Sequence, residues 1–120
     1  MKGIYVLIIS VSKDITVDVG SLGKINFEKG LYAYVGSAQK SLEKRLRRHL
    51  RKVKRKFWHI DYLLENKSVS IAKVFCKAAD KYEECMIARE LSGMAVPVVN
   101  FGCSDCSCVS HLFKCARYDF

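Results

Sequence analysis

Proline occurs once, at Pro97, and the seven glycines are scattered, so no stretch has the composition of a flexible linker or a disordered tract. Long apolar runs are missing too. The opening Met1-Lys2-Gly3-Ile4-Tyr5 lacks the charged lead, apolar stretch and small-residue cleavage site of a signal peptide, so neither a leader nor a membrane span is expected, and the expected location is the cytoplasm. No internal repeat is present. The remaining absence is local: between Lys44 and Lys56 there is no acidic residue.

That acid-free segment holds nine of the 21 Lys and Arg residues, leaving twelve bases to balance twelve acids elsewhere, so the net charge of +9 sits on this one stretch. Leu42, Leu46, Leu50 and Val53 run through it at helical spacing, which predicts an amphipathic helix over 42–56 with one apolar stripe. Cations at this density favour a polyanion, because each phosphate contact releases counterions. A solvated helix face is the bland alternative. A membrane-surface helix fits less well, since the stripe carries no interfacial aromatic before Phe57 and Trp58. The expected partner is therefore nucleic acid, DNA first and RNA left open, contacted by Arg47, Arg48, Arg51, Lys52, Lys54 and Arg55. No small-molecule cofactor is expected.

Length and patterning predict a single domain over residues 1–120 of α+β class, a small mainly antiparallel sheet flanked by about three helices. Gly3 to Val11 is apolar on both faces, as a central covered strand would be. Ile15, Val17 and Val19 alternate, then Ile25 and Phe27, predicting a hairpin over about 13–29 within a four-stranded meander. Leu31, Ala33 and Val35 alternate with Tyr32 and Tyr34 in the next strand. Gly36-Ser37-Ala38 then reads as a turn of small residues. Helices are predicted at Phe57–Leu64 and Lys81–Ser92, a strand at Ser70–Cys76, and a short edge strand at Leu112-Phe113 within an irregular Cys-rich tail over 98–120.

Four of the six cysteines lie between Cys103 and Cys115, a clustering that suits reduced thiols or a metal site better than a disulfide framework. Cys106, Cys108 and His111 are candidate zinc ligands by residue type. The other readings are apolar packing of the thiols, or a place in an active cleft for Ser104, Asp105, Cys106 and His111. His59 and Asp61, beside Trp58, form either a second polar site or a hydrogen-bonded packing cluster.

The order Gly3-Ile4-Tyr5, then Tyr34-Val35-Gly36, then a helix with Arg45 and His49, then Glu84 and finally Asn100 after Pro97 resembles the GIY-YIG nuclease superfamily. The whole chain, with its YVGSA and HIDYLL segments and the tail from Phe101 to Phe113, is similar to an archaeal-type branch of small GIY-YIG-like proteins. The resemblance implies a metal-dependent endonuclease that hydrolyses DNA phosphodiesters. In that reading Tyr5 and Tyr34 sit on neighbouring strands, and one of them, its pKa lowered by nearby positive charge, deprotonates or orients water. Arg45 holds the phosphate, His49 assists as partner or proton shuttle, Glu84 holds magnesium or manganese, and Asn100 orients the group. Three features depart from the pattern: the 28 residues between Tyr5 and Tyr34, the Ser37-Ala38 pair, and the long Glu84–Asn100 span, with Glu83 a competing carboxylate. The first is the inserted hairpin, compatible with paired motif strands; the Ser37-Ala38 pair and the altered Glu–Asn spacing favour the rival function, a non-catalytic nucleic-acid-binding module built on 42–56. A protein-interaction domain using the Cys-rich loop is the third class.

Overall fold

The computed structural model describes residues 2–52, 54–56, 58–102 and 108–115. Strand β1 (Gly3–Val11) is an interior strand of a five-stranded antiparallel sheet. It pairs along its whole length with β4 (Gly30–Ala38), from Gly3 opposite Ala38 to Val11 opposite Gly30. On its other side lies β5 (Val69–Lys77), with a register shift at Ile8/Ile9. The order across the sheet is completed by β7 (Leu112–Cys115) beside β4 and the two-residue β6 (Val96–Pro97) at the edge.

Alternation along β1 sends Tyr5, Leu7, Ile9 and Val11 to one face and Val6 and Ile8 to the other, so each face acquires its own core. On the first face they pack under α1 (Leu42–Leu50), α2 (His59–Leu64) and Phe101. On the second, Ile8, Ala33, Val35 and Phe113 meet Ala88 and Leu91 of α3 (Tyr82–Ser92). Each fully buried Ile, Leu or Phe contributes about 1.5–3 kcal/mol.

The expected α+β architecture is the one observed, and four local expectations are corrected. The meander is not continuous: β2 (Ile15–Asp18) and β3 (Lys24–Phe27) form a separate two-stranded sheet, and β1 pairs directly with β4. The hairpin's apolar side, Val17, Val19 and Phe27, is buried in the first core, which draws it off the main sheet. Gly36, Ser37 and Ala38 are the end of β4 rather than a turn, because Gly3, Ile4 and Tyr5 of β1 remain to be paired. Leu112-Phe113 belongs to an interior strand, between β4 and β6. Both residues are buried, one in each core. The helix at Phe57–Leu64 begins at His59, where Asp61 Oδ2 accepts from the Trp58 N–H at 2.9 Å. Phe57 lies outside the described residues.

The basic helix is shorter than its charge. Ser41 caps α1 by accepting from the Lys44 N–H, and Glu43 lies in the first turn. Beyond Leu50 the backbone is extended at Arg51, whose N–H donates to the Arg48 carbonyl, and the Lys54 ammonium donates to the carbonyls of Arg48, His49 and Arg51 at the helix end. The inward face is Leu42, Arg45, Leu46 and His49, while Leu50 is 60 % exposed. Val53 lies outside the described residues. The expected Leu-Val stripe shares its first two members with this face and then diverges from it. The helix ends at Leu50, and the fourth inward position goes to a histidine that meets a tyrosine.

Candidate active site

Where β1 begins and β4 ends, beside α1 and the start of α3, a cleft of about 770 Å³ opens. Tyr5, Tyr34, Arg45 and Glu84 all line it, although they come from two strands and two helices. The sheet's end makes this possible. Tyr5 and Tyr34 face the α1 side, Glu84 arrives from the α3 side, and only at a strand terminus can residues of opposite faces meet. Gly36 sits directly opposite Tyr5 in the register, and a Cβ there would collide with the Tyr5 ring. Glycine at this position is what lets the ring lie across the strand.

Ser37 joins the two halves. Its carbonyl accepts from Arg45 Nη1 at 2.8 Å, and its hydroxyl donates to Glu84 Oε1 at 2.7 Å. The other carboxylate oxygen, Oε2, lies 2.9 Å from Nδ1 of buried His111, which is also 3.2 Å from the Val35 carbonyl. Both neighbours of that nitrogen are acceptors, so Nδ1 is assigned the hydrogen. Glu84 is thereby held from both sides. Glu83, the competing carboxylate, turns away to Lys77 at 3.3 Å.

On the opposite wall the Tyr5 hydroxyl lies 2.6 Å from His49 Nε2. Burial pushes the His49 pKa down to about 4, against the opposing pull of the Asp61 charge, so the ring is neutral. Its other nitrogen, Nδ1, is buried without a hydrogen-bond partner among the described residues. An orphan of this kind costs about 1–3 kcal/mol and marks a place where packing has been subordinated to another requirement. The expectation that positive charge lowers a tyrosine pKa is corrected. Burial raises both Tyr5 and Tyr34 well above the ordinary value, and the Arg45 charge opposes this without overcoming it.

Arg45 and Arg48 each place the guanidinium carbon 4.4 Å from the centre of the Trp58 ring, which orders both side chains at the cleft wall. Lys40, Lys44 and Lys81 complete a lining in which, among the described residues, five cations face one carboxylate, Glu84. Sequence reasoning missed Ser37, Lys40 and Lys81 as cleft residues; it had Lys44 only as a member of the basic run and Trp58 only as a neighbour of His59 and Asp61.

The structure does not bring every candidate to the cleft. Asn100 is exposed in a turn after β6 with φ 66°, where asparagine serves a left-handed bend; its backbone N–H donates to the Val109 carbonyl. The six expected nucleic-acid contacts divide. Arg47, Arg51 and Arg55 are exposed. Arg48 makes two 2.8 Å bonds to the carboxylate of fully buried Asp61. The Lys52 ammonium is ringed by the carbonyls of Leu64, Asn66 and Val69, and that of Lys54 caps α1. Asp61 and His59 belong to the packing: His59 Nδ1 accepts from the Gly102 N–H at 2.9 Å, and its ring also borders the cleft.

Of the expected zinc ligands, Cys106 lies outside the described residues, as do Cys103 to Ser107 as a whole. Cys108 and His111 come together with Cys85 of α3 instead, the ligand atoms of all three lying within 4.8 Å of one another, so this trio is a group that could hold a metal ion. Among the described residues no helix is long and apolar enough to cross a membrane.

No curated protein and no solved structure matches the chain. The membership expected from the Gly3-Ile4-Tyr5 and Tyr34-Val35-Gly36 tripeptides, in the GIY-YIG superfamily and its archaeal-type branch, is corrected by a match to a distinct family. That match, to Domain of unknown function DUF123, runs over residues 4–120, and the chain belongs to this family.

Proposed function

We propose that the protein is a metal-dependent hydrolase that cuts phosphodiester bonds in nucleic acid, DNA in the first place. The observation that carries the reading is the convergence of Tyr5, Tyr34, Arg45 and Glu84 on one cation-rich cleft. Among the described lining residues Lys40, Lys44, Arg45 and Lys81 outnumber the one carboxylate, Glu84, even with Arg48 committed to Asp61, and that excess favours a polyanion. Arg45, ordered by Ser37 and Trp58, is placed to hold a phosphate with its remaining donors.

Glu84 is the residue to hold a magnesium or manganese ion. Among the described residues each of its oxygens has one hydrogen-bonding partner, Ser37 or His111, and a carboxylate offers about four acceptor sites, so lone pairs remain for a hard cation. When bound, such an ion would neutralise charge developing on the phosphoryl oxygens. The softer Cys85–Cys108–His111 group calls for a different ion, and there we propose zinc.

Water activation falls to the Tyr5–His49 pair. A buried phenolate and a buried imidazolium are each unfavourable alone. If Tyr5 accepts the water proton while passing its own to His49 Nε2, the phenolate is never formed, and the new imidazolium gains from the nearby Asp61 charge. The second reading, a nucleic-acid-binding module without chemistry, is favoured by the raised pKa of both tyrosines.

The deciding experiment incubates the protein with linear, flapped and branched DNA, and with RNA, in magnesium, manganese or EDTA. Cutting should require a divalent ion and should fall by at least about 100-fold in Glu84→Gln with nucleic-acid affinity nearly unchanged, since no phosphate contact is removed. Tight binding with no cutting of any substrate under either ion would leave the binding module as the function.

A further inference from the structure

The Cys85–Cys108–His111 group has the chemistry of a built site. Two thiols and an imidazole are the donor set that zinc and other thiophilic ions prefer over magnesium. Zinc–sulfur and zinc–nitrogen bonds of about 2.3 and 2.0 Å put tetrahedral ligand atoms roughly 3.5–3.8 Å apart. The observed spread of no more than 4.8 Å therefore closes with side-chain adjustment of about an ångström. Both cysteines are reduced and half-buried. Cys85 comes from α3 and Cys108 and His111 from the segment just before β7, so Cys85 could not be recognised as their partner by any local spacing.

His111 carries a second mark. Its Nδ1 is turned to the Glu84 carboxylate and the Val35 carbonyl, the outer partners that zinc-bound histidines use to fix tautomer and ring orientation. With the hydrogen on Nδ1, the lone pair of the neutral ring is on Nε2. We propose that Cys85, Cys108 and His111 bind zinc through two thiolates and Nε2, with Glu84 as the outer-shell carboxylate. The thiols release their two protons to solvent on binding. The ion staples α3 to the C-terminal segment, and through His111 it sets the position of Glu84 in the cleft. This last link rests on the hydrolase reading, whereas the metal site itself does not.

The test uses the full chain, purified reduced and without chelator, then loaded with zinc or cobalt(II) and desalted. About one tightly held equivalent is expected, with the ultraviolet thiolate-to-cobalt charge-transfer absorption in the cobalt form. Cys85→Ser and Cys108→Ser should each lose the equivalent and the absorption. Because a variant could fail to fold, zinc protection of Cys85 and Cys108 against alkylation is also mapped on the wild-type chain by peptide mass. Selective protection of these two thiols supports the site. A wild-type chain that takes up no metal, metal retained in both variants, or a Cys85–Cys108 disulfide in the isolated protein overturns it. Glu84→Gln should keep the zinc while losing the cutting. Zinc binding without nuclease activity in wild type removes the hydrolase reading alone, and nuclease activity without zinc binding removes this site alone.

Discussion

Two sets of cations share one stretch of sequence and do opposite work. Arg47, Arg51 and Arg55 stand in solvent. Arg48, Lys52 and Lys54, interleaved with them, spend their charge on the protein itself: Arg48 on the carboxylate of Asp61, Lys52 on the carbonyls at the end of α2 and the start of β5, and Lys54 on the end of α1. Burial lowers the pKa of both lysines, as expected of ammonium groups drawn partly out of water. The lesson concerns what a basic run means. Its sum predicts attraction to polyanions, yet three of the six members expected to contact phosphate are structural clamps whose loss would be felt without any ligand.

The sharpest way to break the comparison is to remove a clamp. Arg48→Ala removes both guanidinium bonds from the fully buried Asp61 carboxylate, whose bond from the Trp58 N–H does not carry a compensating charge. A loss of about 3 kcal/mol in unfolding free energy is expected by denaturant titration, since breaking a buried pair exposes the full desolvation cost of the remaining charge. A loss below about 0.5 kcal/mol would place Arg48 with the solvent-facing set.

A nearly equal effect should come from pH, through the one titratable group on the inward face of α1. His49 has a pKa of about 4 in the folded chain against an ordinary value near 6.5. Between those values the unfolded chain binds a proton that the folded chain refuses, so stability falls as pH drops through that window. Above pH 6.5 this contribution is flat, below about 4 it changes no further, and the total is about 3 kcal/mol. Denaturant midpoints at pH 7, 5 and 4 should show the fall, and His49→Gln should flatten it relative to wild type. Equal slopes in the two proteins would return His49 to an ordinary solvated ring.

The smallest effect on stability belongs to the exposed set. Replacing Arg47, Arg51 and Arg55 together with alanine should move unfolding free energy by no more than about 0.5 kcal/mol per site. The same variant should make the logarithmic salt dependence of DNA binding shallower by up to about three units, because up to three phosphate contacts are gone. An unchanged slope with weaker folding would invert the assignment of the two sets.

Sequence alone was enough for what depends on neighbours along the chain. The two-faced apolarity of Gly3–Val11, the alternation through Tyr34 and the charge of Lys44–Lys56 are local patterns, and strand, strand and cationic surface follow from them. The four residues of the cleft were also legible as residue types, though the superfamily suggested by the motif strings was not the one that matches.

Tertiary structure decided everything that depends on a partner far along the chain. The phase of α1 after Leu46 was settled by Tyr5 meeting His49, 44 residues away. Gly36-Ser37-Ala38 could be a turn until β1 supplied residues to pair with it. Ser37, read as a departure from pattern, became the link between Arg45 and Glu84 because α3 is docked on the far side of the sheet. Cys85 had no sequence signal as a ligand, since its companions Cys108 and His111 reach it only when β7 enters the sheet interior beside β4. Periodicity encodes which side of an element is apolar. Which polar group it then meets is set by packing between elements, where burial fixes the cost of leaving that group unpaired.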